Sequence, residues 1–494
     1  MFKKIFLIPV TLFFLFSCGS EEKTEEANAG SAITSKVSNF ISSRENIIAF
    51  GHINMFQILG KSDYKKNSLV NAVIDPFITK MAALNQNSPI YFAVEVNEQN
   101  INDFNPYDIS NISNLKLNGF AYAFIAIKNK SEIKSQLEKE VRVRFKNTDG
   151  IDYAQENNGT FALFDDCMML MVDLNDRNQV GIDQLKAASK LMTEGKSTEL
   201  VNKMMASNSD FMLTYDMGKS VSSVLKGLKI SNSETQQLES DLKGCFNTTN
   251  FNFENGKIVL TSENILSPAM SKWRITKPDS KEIVATLGTG APAAAVAMNL
   301  DVDQIQKILD SYLKSSMSEI ESKLSASELL EFNRIKSEGF STVFNGRFGI
   351  AAFLKGDGYG FVPNVNFQLG AGTMLLEKLK EPLEMAKTGG FTIENKDNIL
   401  YGYNGAENAP GKGSLTLPEG AEDFGNYPIN GFVDIQKLPM NELNLPEQAM
   451  KIIAKLSILK FKVEGDKFTL EIQFKDKSQN ALAQIMNSVS GLSL

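Results

Sequence analysis

The feature that most constrains the fold is a pattern that occurs four times along the chain. In each occurrence an apolar strand candidate leads into an Asp or Asn, and an amphipathic helix follows. The four residues at this junction are Asn54, Asp216, Asp301 and Asp434. A short polar side chain at such a junction accepts a hydrogen bond from an unpaired amide in the first helical turn. We therefore expect all four residues to be structural helix caps.

The helix is clearest after the third junction, where apolar residues recur at helical spacing from Val302 to Leu324. The sequence from Ser325 to Glu328 predicts a capping box that opens another helix, and Ser231 with Glu234 repeats this device. Short alternating strands mixed with helices, with many strands joined by hairpins, are typical of an α+β protein. We expect antiparallel sheets with helices packed on them.

The order of the elements indicates an internal duplication. The first and third occurrences are both followed by two strands and a helix, whereas the second and fourth end in hairpins that turn at residues 254–256 and 464–466. We interpret this as two α+β halves, residues 41–280 and 290–494. The first half also carries a polar insert at residues 97–118, which is either a binding loop or a tolerated insertion.

The N-terminus predicts export. Two lysines, Lys3 and Lys4, precede an almost wholly apolar run that ends at Phe16. This run is too short to span a bilayer, which needs about 20 apolar residues, so we expect residues 1–17 to be a cleaved signal peptide. The sequence up to Cys18 resembles a lipobox, in which the cysteine receives lipid, although Phe16 is bulkier than the usual residue. The alternative is a free cysteine in an ordinary secretory signal.

The residues after Cys18 bear on sorting. Polar and acidic composition predicts a flexible tether over residues 18–40. Gly19 in place of an aspartate argues, by resemblance to known sorting rules, against retention in the inner membrane. An acidic cluster resembles the surface-export tags of Bacteroidetes-type lipoproteins, although it is equally consistent with a solvated spacer; it consists of Glu21, Glu22, Glu25 and Glu26.

The layout as a whole, with its lipobox and its recurring strand, Asp and helix, resembles an uncharacterised family of Bacteroidetes-type lipoproteins of similar length. That family has no assigned activity, so the resemblance implies architecture and localisation alone. It implies an outer-membrane lipoprotein that faces either the cell surface or the periplasm.

Composition excludes several classes of function. With 51 basic and 58 acidic residues the net charge is -7, which makes the chain a poor partner for nucleic acid. No later segment is apolar enough to be a membrane-spanning helix. Cys167 and Cys245 are the two cysteines besides Cys18, and they either form a disulfide or remain free.

Candidates for catalysis are few. His52 is the single histidine, and most Ser or Cys triads and zinc sites would depend on it. It stands at the end of a strand without a nucleophile motif nearby, so we interpret it as a polar residue whose hydrogen bonds are satisfied. Asp165 and Asp166 are neighbours, and neighbours on a strand face opposite ways and cannot share a substrate atom. We therefore predict no catalytic residue.

Two further patterns are only weakly consistent with a function. Cys167, Met169 and Met171 alternate onto one strand face and would suit Cu(I), but methionines at this spacing are usually core residues. Glycine pairs recur at residues 356–360 and 370–372, and the second group lies between a strand and a helix, where backbone amides can hold phosphate, but turn geometry explains both groups. We expect no metal and no cofactor.

These observations favour a non-enzymatic envelope lipoprotein that binds an unknown envelope protein or extracellular ligand, and that contacts the membrane through lipid on Cys18. One alternative is a hydrolase that acts on envelope or extracellular polymers through carboxylates distant in sequence. Another is a periplasmic carrier of apolar ligands, because 33 Phe and 19 Met residues could line a cavity.

Overall fold

The computed structural model describes residues 27–66, 71, 72, 74–76, 79, 82–99, 117–156, 159–174, 181–227, 233–312, 325–356, 361–405, 409–440 and 445–489. The predicted signal peptide, Cys18 and the four glutamates of the acidic cluster lie outside these residues. So do residues 100–116, which make up most of the polar insert, and Ser231 of the second capping box.

The described residues form an α+β fold in which the strands pair antiparallel, as the sequence predicts. The strands are β1 (Ile47–Ile53), β2 (Ile90–Gln99), β3 (Leu117–Ala126), β4 (Lys146–Thr148), β5 (Ile151–Glu156), β6 (Gly159–Leu163), β7 (Cys167–Asp173), β8 (Phe211–Asp216), β9 (Phe246–Glu254), β10 (Lys257–Ile265), β11 (Ala294–Asn299), β12 (Phe344–Gly356), β13 (Phe361–Ala371), β14 (Thr392–Lys396), β15 (Ile399–Tyr403), β16 (Ile429–Asp434), β17 (Leu456–Glu464) and β18 (Lys467–Phe474).

Helices of four to seventeen residues lie between the strands. They are α1 (Ala27–Ser43), α2 (Met55–Ser62), α3 (Lys130–Glu140), α4 (Ile182–Glu194), α5 (Glu199–Met205), α6 (Met217–Gly227), α7 (Ser233–Leu242), α8 (Pro268–Ser271), α9 (Lys281–Val284), α10 (Val302–Tyr312), α11 (Ala326–Glu338), α12 (Thr373–Thr388), α13 (Glu447–Ile453) and α14 (Ala481–Val489). No helix in the described part of the chain is long and apolar enough to cross a membrane.

The chain divides into two compact units. The first unit contains the chain up to Thr235, together with Glu239–Glu254 and the residues from Asn480 onward, and the second contains Asn255–Gln479 and the short stretch Gln236–Leu238. The boundary between the units, after Glu254, lies N-terminal to the junction that the sequence pattern indicates between residues 280 and 290. The duplication itself stays a prediction.

The first unit is built on an antiparallel sheet with the strand order β4-β5-β6-β7-β3-β2-β1-β8-β9. Helices α2 and α3 pack against one side of this sheet, where they enclose a core that includes Met55, Ile133, Ile125 and Met168. On the other side α1 packs against α4, α5 and β3. The sheet is therefore covered on both faces over much of its width.

Helix α1 corrects the prediction of a flexible tether over residues 18–40. That prediction is wrong from Ala27 onward, where the chain is helical. Ile33, Val37, Phe40 and Ile41 are at most 3% exposed, because they recur at helical spacing and fill one side of the helix. Most of the small and polar residues between them are more exposed, although Ser38 is also fully buried, and their composition alone obscured this pattern.

The second unit repeats the antiparallel design with the order β14-β15-β13-β12-β11-β16-β17-β18-β10. Its core lies where the segment after α9 and the loop before β16 cover β11 and β12. Ile283, Leu287, Phe424 and Phe432 are among the side chains that meet there. A second layer is formed by α11 and α12, which are joined by the ion pair between Arg334 and Glu377 at 2.8 Å.

Three of the four predicted helix caps are confirmed. The carboxylates of Asp216, Asp301 and Asp434 accept hydrogen bonds from the amides of residues 219, 304 and 436 at 2.9, 3.1 and 3.2 Å, although only a 3-10 turn follows Asp434. The prediction is wrong for Asn54, whose side-chain amide instead donates to the carbonyl oxygen of Ser209 at 2.6 Å. The capping box at Ser325 is confirmed.

The remaining cysteines do not form a disulfide. Cys167 and Cys245 are both buried free thiols in the first unit. Burial raises the pKa of the Cys167 thiol to about 12, so this side chain stays protonated and behaves as a small apolar group. Of the two alternatives left open by the sequence, the free state is the one observed.

Candidate functional site

The single histidine lies in the core of the first unit. His52 is fully buried on β1, its Nε2 is 3.3 Å from the carbonyl oxygen of Ser209, and the ring stands edge-on to Tyr91. Burial lowers the pKa of His52 to about 4, an effect that the contact with Ser209 only partly opposes. The ring is therefore neutral near pH 7 and is closed off from solvent, which agrees with its interpretation as a structural residue.

Asp210, the residue after Ser209, belongs to a buried ion pair. Asp210 is fully buried, and its two carboxylate oxygens each lie 2.8 Å from Nζ of Lys61. The same carboxylate accepts hydrogen bonds from the side chain of Gln57 at 3.0 Å and from the amide of Phe253 at 2.6 Å. Every oxygen is satisfied, so the cluster fixes α2 to the strand ends and has no group left for chemistry.

The other sequence candidates are also structural. Asp165 and Asp166 lie in a bend before β7 rather than on a strand, and they pair with different lysines, Lys130 at 3.7 Å and Lys36 at 2.7 Å. Met169 and Met171 are fully buried core residues beside Cys167.

The predicted phosphate-binding glycines serve packing. A Cβ at Gly372 would lie 2.0 Å from the carbonyl oxygen of Thr342, and one at Gly370 would lie 1.5 Å from the side-chain oxygen of Asn345. Residues 357–360, which belong to the other glycine pattern, lie outside the described part of the chain. Within that part, no three His, Cys, Asp or Glu side chains are grouped closely enough to hold a metal ion.

The surface with the most distinctive chemistry is the sheet formed by β17, β18 and β10 in the second unit. One side of these strands, which we call the apolar face, carries three rows of side chains in register. Leu459, Ile472 and Ile258 form one row, and Phe461, Leu470 and Leu260 form the next. The third row pairs Val463 with Phe468. All eight side chains are half-buried rather than fully buried.

The apolar face owes its flatness to a glycine on the next strand. The ring of Phe461 lies over Gly431 of β16, where a Cβ would come within 2.6 Å of it. The first unit uses the same device on β1 and β2, where the ring of Phe92 lies over Gly51. A glycine beside an aromatic ring lets the ring lie down along the sheet and cover the neighbouring backbone.

The reverse side of the same three strands is mostly polar, with Val259 of β10 and Ile458 of β17 as buried apolar exceptions. Lys460 and Lys462 of β17 alternate with the apolar residues and face Glu471 and Thr469 of β18. A small, shallow depression opens on this side, and the loop before β16 contributes Asp423 and Tyr427 to its lining.

The lysines of this depression are held in a charged network. Nζ of Lys460 lies 3.8 Å from Asp423 and 3.9 Å from Glu471. Nζ of Lys462 donates to the hydroxyl of Tyr427 at 2.5 Å and stands 4.0 Å from its ring centroid. Burial alone would lower the pKa of Lys462, but Tyr427 and the nearby carboxylates outweigh it and raise the pKa. A lysine held protonated in this way is not a nucleophile.

Comparisons with known proteins add little. No protein-family model matches the chain, and no curated protein matches it. Among solved structures, crystal form III of TP0453 aligns with 47% of this chain and 79% of its own at 9% identity and a TM-score of 0.26. Crystal forms IV and I align at 10% and 11% identity, with coverage of 46% and 47% of this chain and 79% and 78% of theirs, and with TM-scores of 0.26 and 0.25. Similarity at this level carries no argument about function.

Proposed function

We propose that the chain is a non-enzymatic lipoprotein of the cell envelope, anchored through lipid on Cys18, that binds a protein partner through the apolar face of the second unit. The anchor is supported by the signal-like N-terminus and by the residues up to Cys18 that resemble a lipobox. Gly19 and the acidic residues that follow it support an outer-membrane location on the surface or periplasmic side.

The observation that carries the binding role is the difference between the two sides of β17, β18 and β10. An antiparallel sheet that faces a core on one side and water on the other alternates apolar and polar residues, and β18 and β17 from Leu459 onward do so. Their apolar residues are nevertheless only half-buried, while the core of the same unit contains Ile283 and Leu287 with no exposure. Apolar surface left partly in water gains free energy when a partner covers it.

The polar side favours binding over catalysis. Asp423 and Glu471 are the two carboxylates that line the depression, and both share Lys460 as a counter-ion. Such a network holds the loop before β16 against the strands. A hydrolase would instead need one carboxylic acid and one carboxylate placed about a substrate, and the shared lysine occupies that space.

We also propose that the architecture arose by duplication of one α+β half. In both units a central strand, β1 or β11, is flanked on one side by the next two strands of the chain and on the other by the strand that ends in a capping aspartate. The last strands of the two halves, β10 and β18, pair antiparallel in a register that is unchanged when the strands are exchanged, with Lys257 opposite Gln473 and Glu263 opposite Lys467. This is the register that duplication of one hairpin would produce.

A pair of neighbouring residues tests the binding role. A photo-crosslinking amino acid at Leu470 lies on the apolar face, and the same amino acid at Thr469 lies on the polar side of the same strand. In intact cells we expect a discrete crosslinked protein from position 470 and none from position 469. Equal products from both positions, or none from 470 in a folded and exported chain, would contradict the proposed face.

The same face supports one other role, that of a carrier for apolar ligands. The three rows on β17, β18 and β10 would then contact an acyl chain or a similar molecule. Mass spectrometry of the chain extracted gently from its own membrane distinguishes the two roles. A stoichiometric lipid that is lost in Leu470→Asp and kept in Thr469→Asp supports the carrier, and its absence supports a protein partner.

A further inference from the structure

A basic segment in the second unit stands out against the acidic chain. Residues 272–277 read Lys-Trp-Arg-Ile-Thr-Lys, whereas the whole chain carries a net charge of -7. Lys272, Arg274 and Lys277 are exposed, and none of the three forms an ion pair with a carboxylate of the described residues. Three unneutralised cations within six residues make a local positive surface.

The apolar residues between these cations are also accessible. Ile275 is 41% exposed, and Trp273, the single tryptophan of the chain, is half-buried. Nζ of Lys272 lies 5.0 Å from the centre of the Trp273 ring. An exposed aliphatic residue and an indole surrounded by Lys and Arg is the composition that favours the boundary between lipid headgroups and acyl chains.

The segment has a fixed shape. The amide of Trp273 donates to Met270 at 3.0 Å, and the amide of Lys277 donates to Asn299 at 3.0 Å. The carbonyl oxygen of Ile275 accepts from the amide of Asp301 at 2.8 Å, which ties the segment to the start of α10. The cations are therefore presented on an ordered backbone, so little conformational entropy is lost when they bind.

Two acidic residues close to the segment, one in sequence and one at its contact with the start of α10, are already engaged. Asp279 pairs with Lys281 at 4.0 Å, and Asp301 uses a carboxylate oxygen to cap α10 through the amide of Gln304 at 3.1 Å. Neither makes an ion pair with the basic segment. The positive charge is available to an external anion.

We propose that residues 272–277 are a membrane-contact site that binds anionic phospholipid headgroups, with Ile275 and Trp273 at the interface. The inference deepens the proposed function, since a lipid on Cys18 would hold this surface near a bilayer. Three cations bind an anionic surface only weakly, so the site cannot anchor the chain alone and instead orients a chain that is already tethered.

The test uses the chain from Gly19 onward, without the predicted signal peptide and Cys18, so that neither an uncleaved apolar segment nor failure of the lipid anchor affects the result. Because Trp273 is the single tryptophan, its fluorescence reports this segment specifically. We expect a blue shift and cosedimentation with vesicles of phosphatidylglycerol and phosphatidylcholine, both weakening as salt rises, and neither effect with pure phosphatidylcholine.

Charge-matched variants complete the test. Lys272→Gln, Arg274→Gln and Lys277→Gln together should lower vesicle partitioning at least tenfold. Lys139→Gln, Lys146→Gln and Lys203→Gln remove the same charge from exposed positions elsewhere and should leave it unchanged. Equal binding of the two triple variants, or no blue shift on anionic vesicles in the parent chain, would overturn the proposal. So would a shift caused by an acidic polypeptide but not by vesicles, which would indicate a protein partner.

Discussion

At the scale of single residues, His52 links stability to pH. Its pKa is about 4 in the folded chain because burial disfavours the imidazolium, against 6.5 for an unperturbed histidine. The unfolded state therefore binds a proton more readily, and the stability that the neutral ring contributes is present above pH 6.5 and is lost as the pH falls toward 4. A pKa shift of this size corresponds to roughly 3 kcal/mol of folding stability lost once the pH is well below 4.

We predict that the free energy of unfolding falls more steeply between pH 7 and pH 4.5 in the parent chain than in His52→Gln, by roughly 2–3 kcal/mol. Urea titrations of both proteins at the two pH values measure this difference, and the carboxylates that titrate in the same range cancel in the comparison. Parallel loss of stability in the two proteins would show that His52 is not closed off from protons.

Two glycines of the first unit make a matched pair. A Cβ on Gly51 would lie 2.0 Å from the carbonyl oxygen of Met212 on the paired strand, whereas a Cβ on Gly60 within α2 would meet nothing within 4 Å. We predict that Gly51→Ala destabilises the chain by about 1–3 kcal/mol and that Gly60→Ala stabilises it by about 0.5–1 kcal/mol. Denaturant midpoints check both signs. A neutral Gly51→Ala would mean that β1 and β8 are not tightly paired.

At the scale of elements, α1 shows how composition and periodicity can disagree. The segment is rich in small and polar residues, yet Phe40 is fully buried against the rings of Tyr122 and Phe124, with centroid distances of 4.8 and 5.2 Å. Arg44 then follows the helix, donates to the buried carboxylate of Glu95 at 3.1 Å and lies over the ring of Phe40. The helix is therefore an integral part of the first unit.

We predict that Phe40→Ala lowers the free energy of unfolding by about 3–5 kcal/mol, because it removes an aromatic ring from a closed core. Ser35→Ala on the exposed side of the same helix should change it by less than about 0.5 kcal/mol. Thermal or urea unfolding of the two variants makes the measurement. Similar small effects from both variants would contradict the packing of α1 against the core and would support a flexible tether.

The elements that the sequence predicted well are those with strong local signals. The hairpin of β17 and β18 turns at Gly465, which has a φ of 60°, and the capping box at Ser325 opens α11. Asn54 shows the limit of such reasoning. It has the residue type of a cap, but a partner 155 positions away in sequence takes its side-chain amide, and no local pattern reveals that contact.

The site was less predictable than the fold. Alternation along β17 and β18 indicates which residues share the apolar face. It does not indicate that this face is half-exposed, because its coverage depends on contacts distant in sequence. The basic residues of segment 272–277 can be identified from the sequence alone. Their lack of ion pairs is visible only once Asp279 and Asp301 are seen to be engaged elsewhere.

At the scale of the whole molecule, the proposals assign different tasks to different surfaces. Lipid on Cys18 would hold the chain in the envelope, the basic segment would contact the bilayer, and the apolar face would bind the partner. The apolar face and the basic segment both belong to the second unit, whereas α1, the first described element of the chain, belongs to the first unit.

The central claim is the lipid anchor, and incorporation of a labelled fatty acid tests it most directly. In cells grown with labelled palmitate, we expect the label in the parent chain, which should fractionate with membranes. The Cys18→Ala variant should carry no label and should leave the membrane fraction or accumulate as uncleaved precursor. An unlabelled parent chain, or equal labelling of the Cys18→Ala variant, would contradict the account.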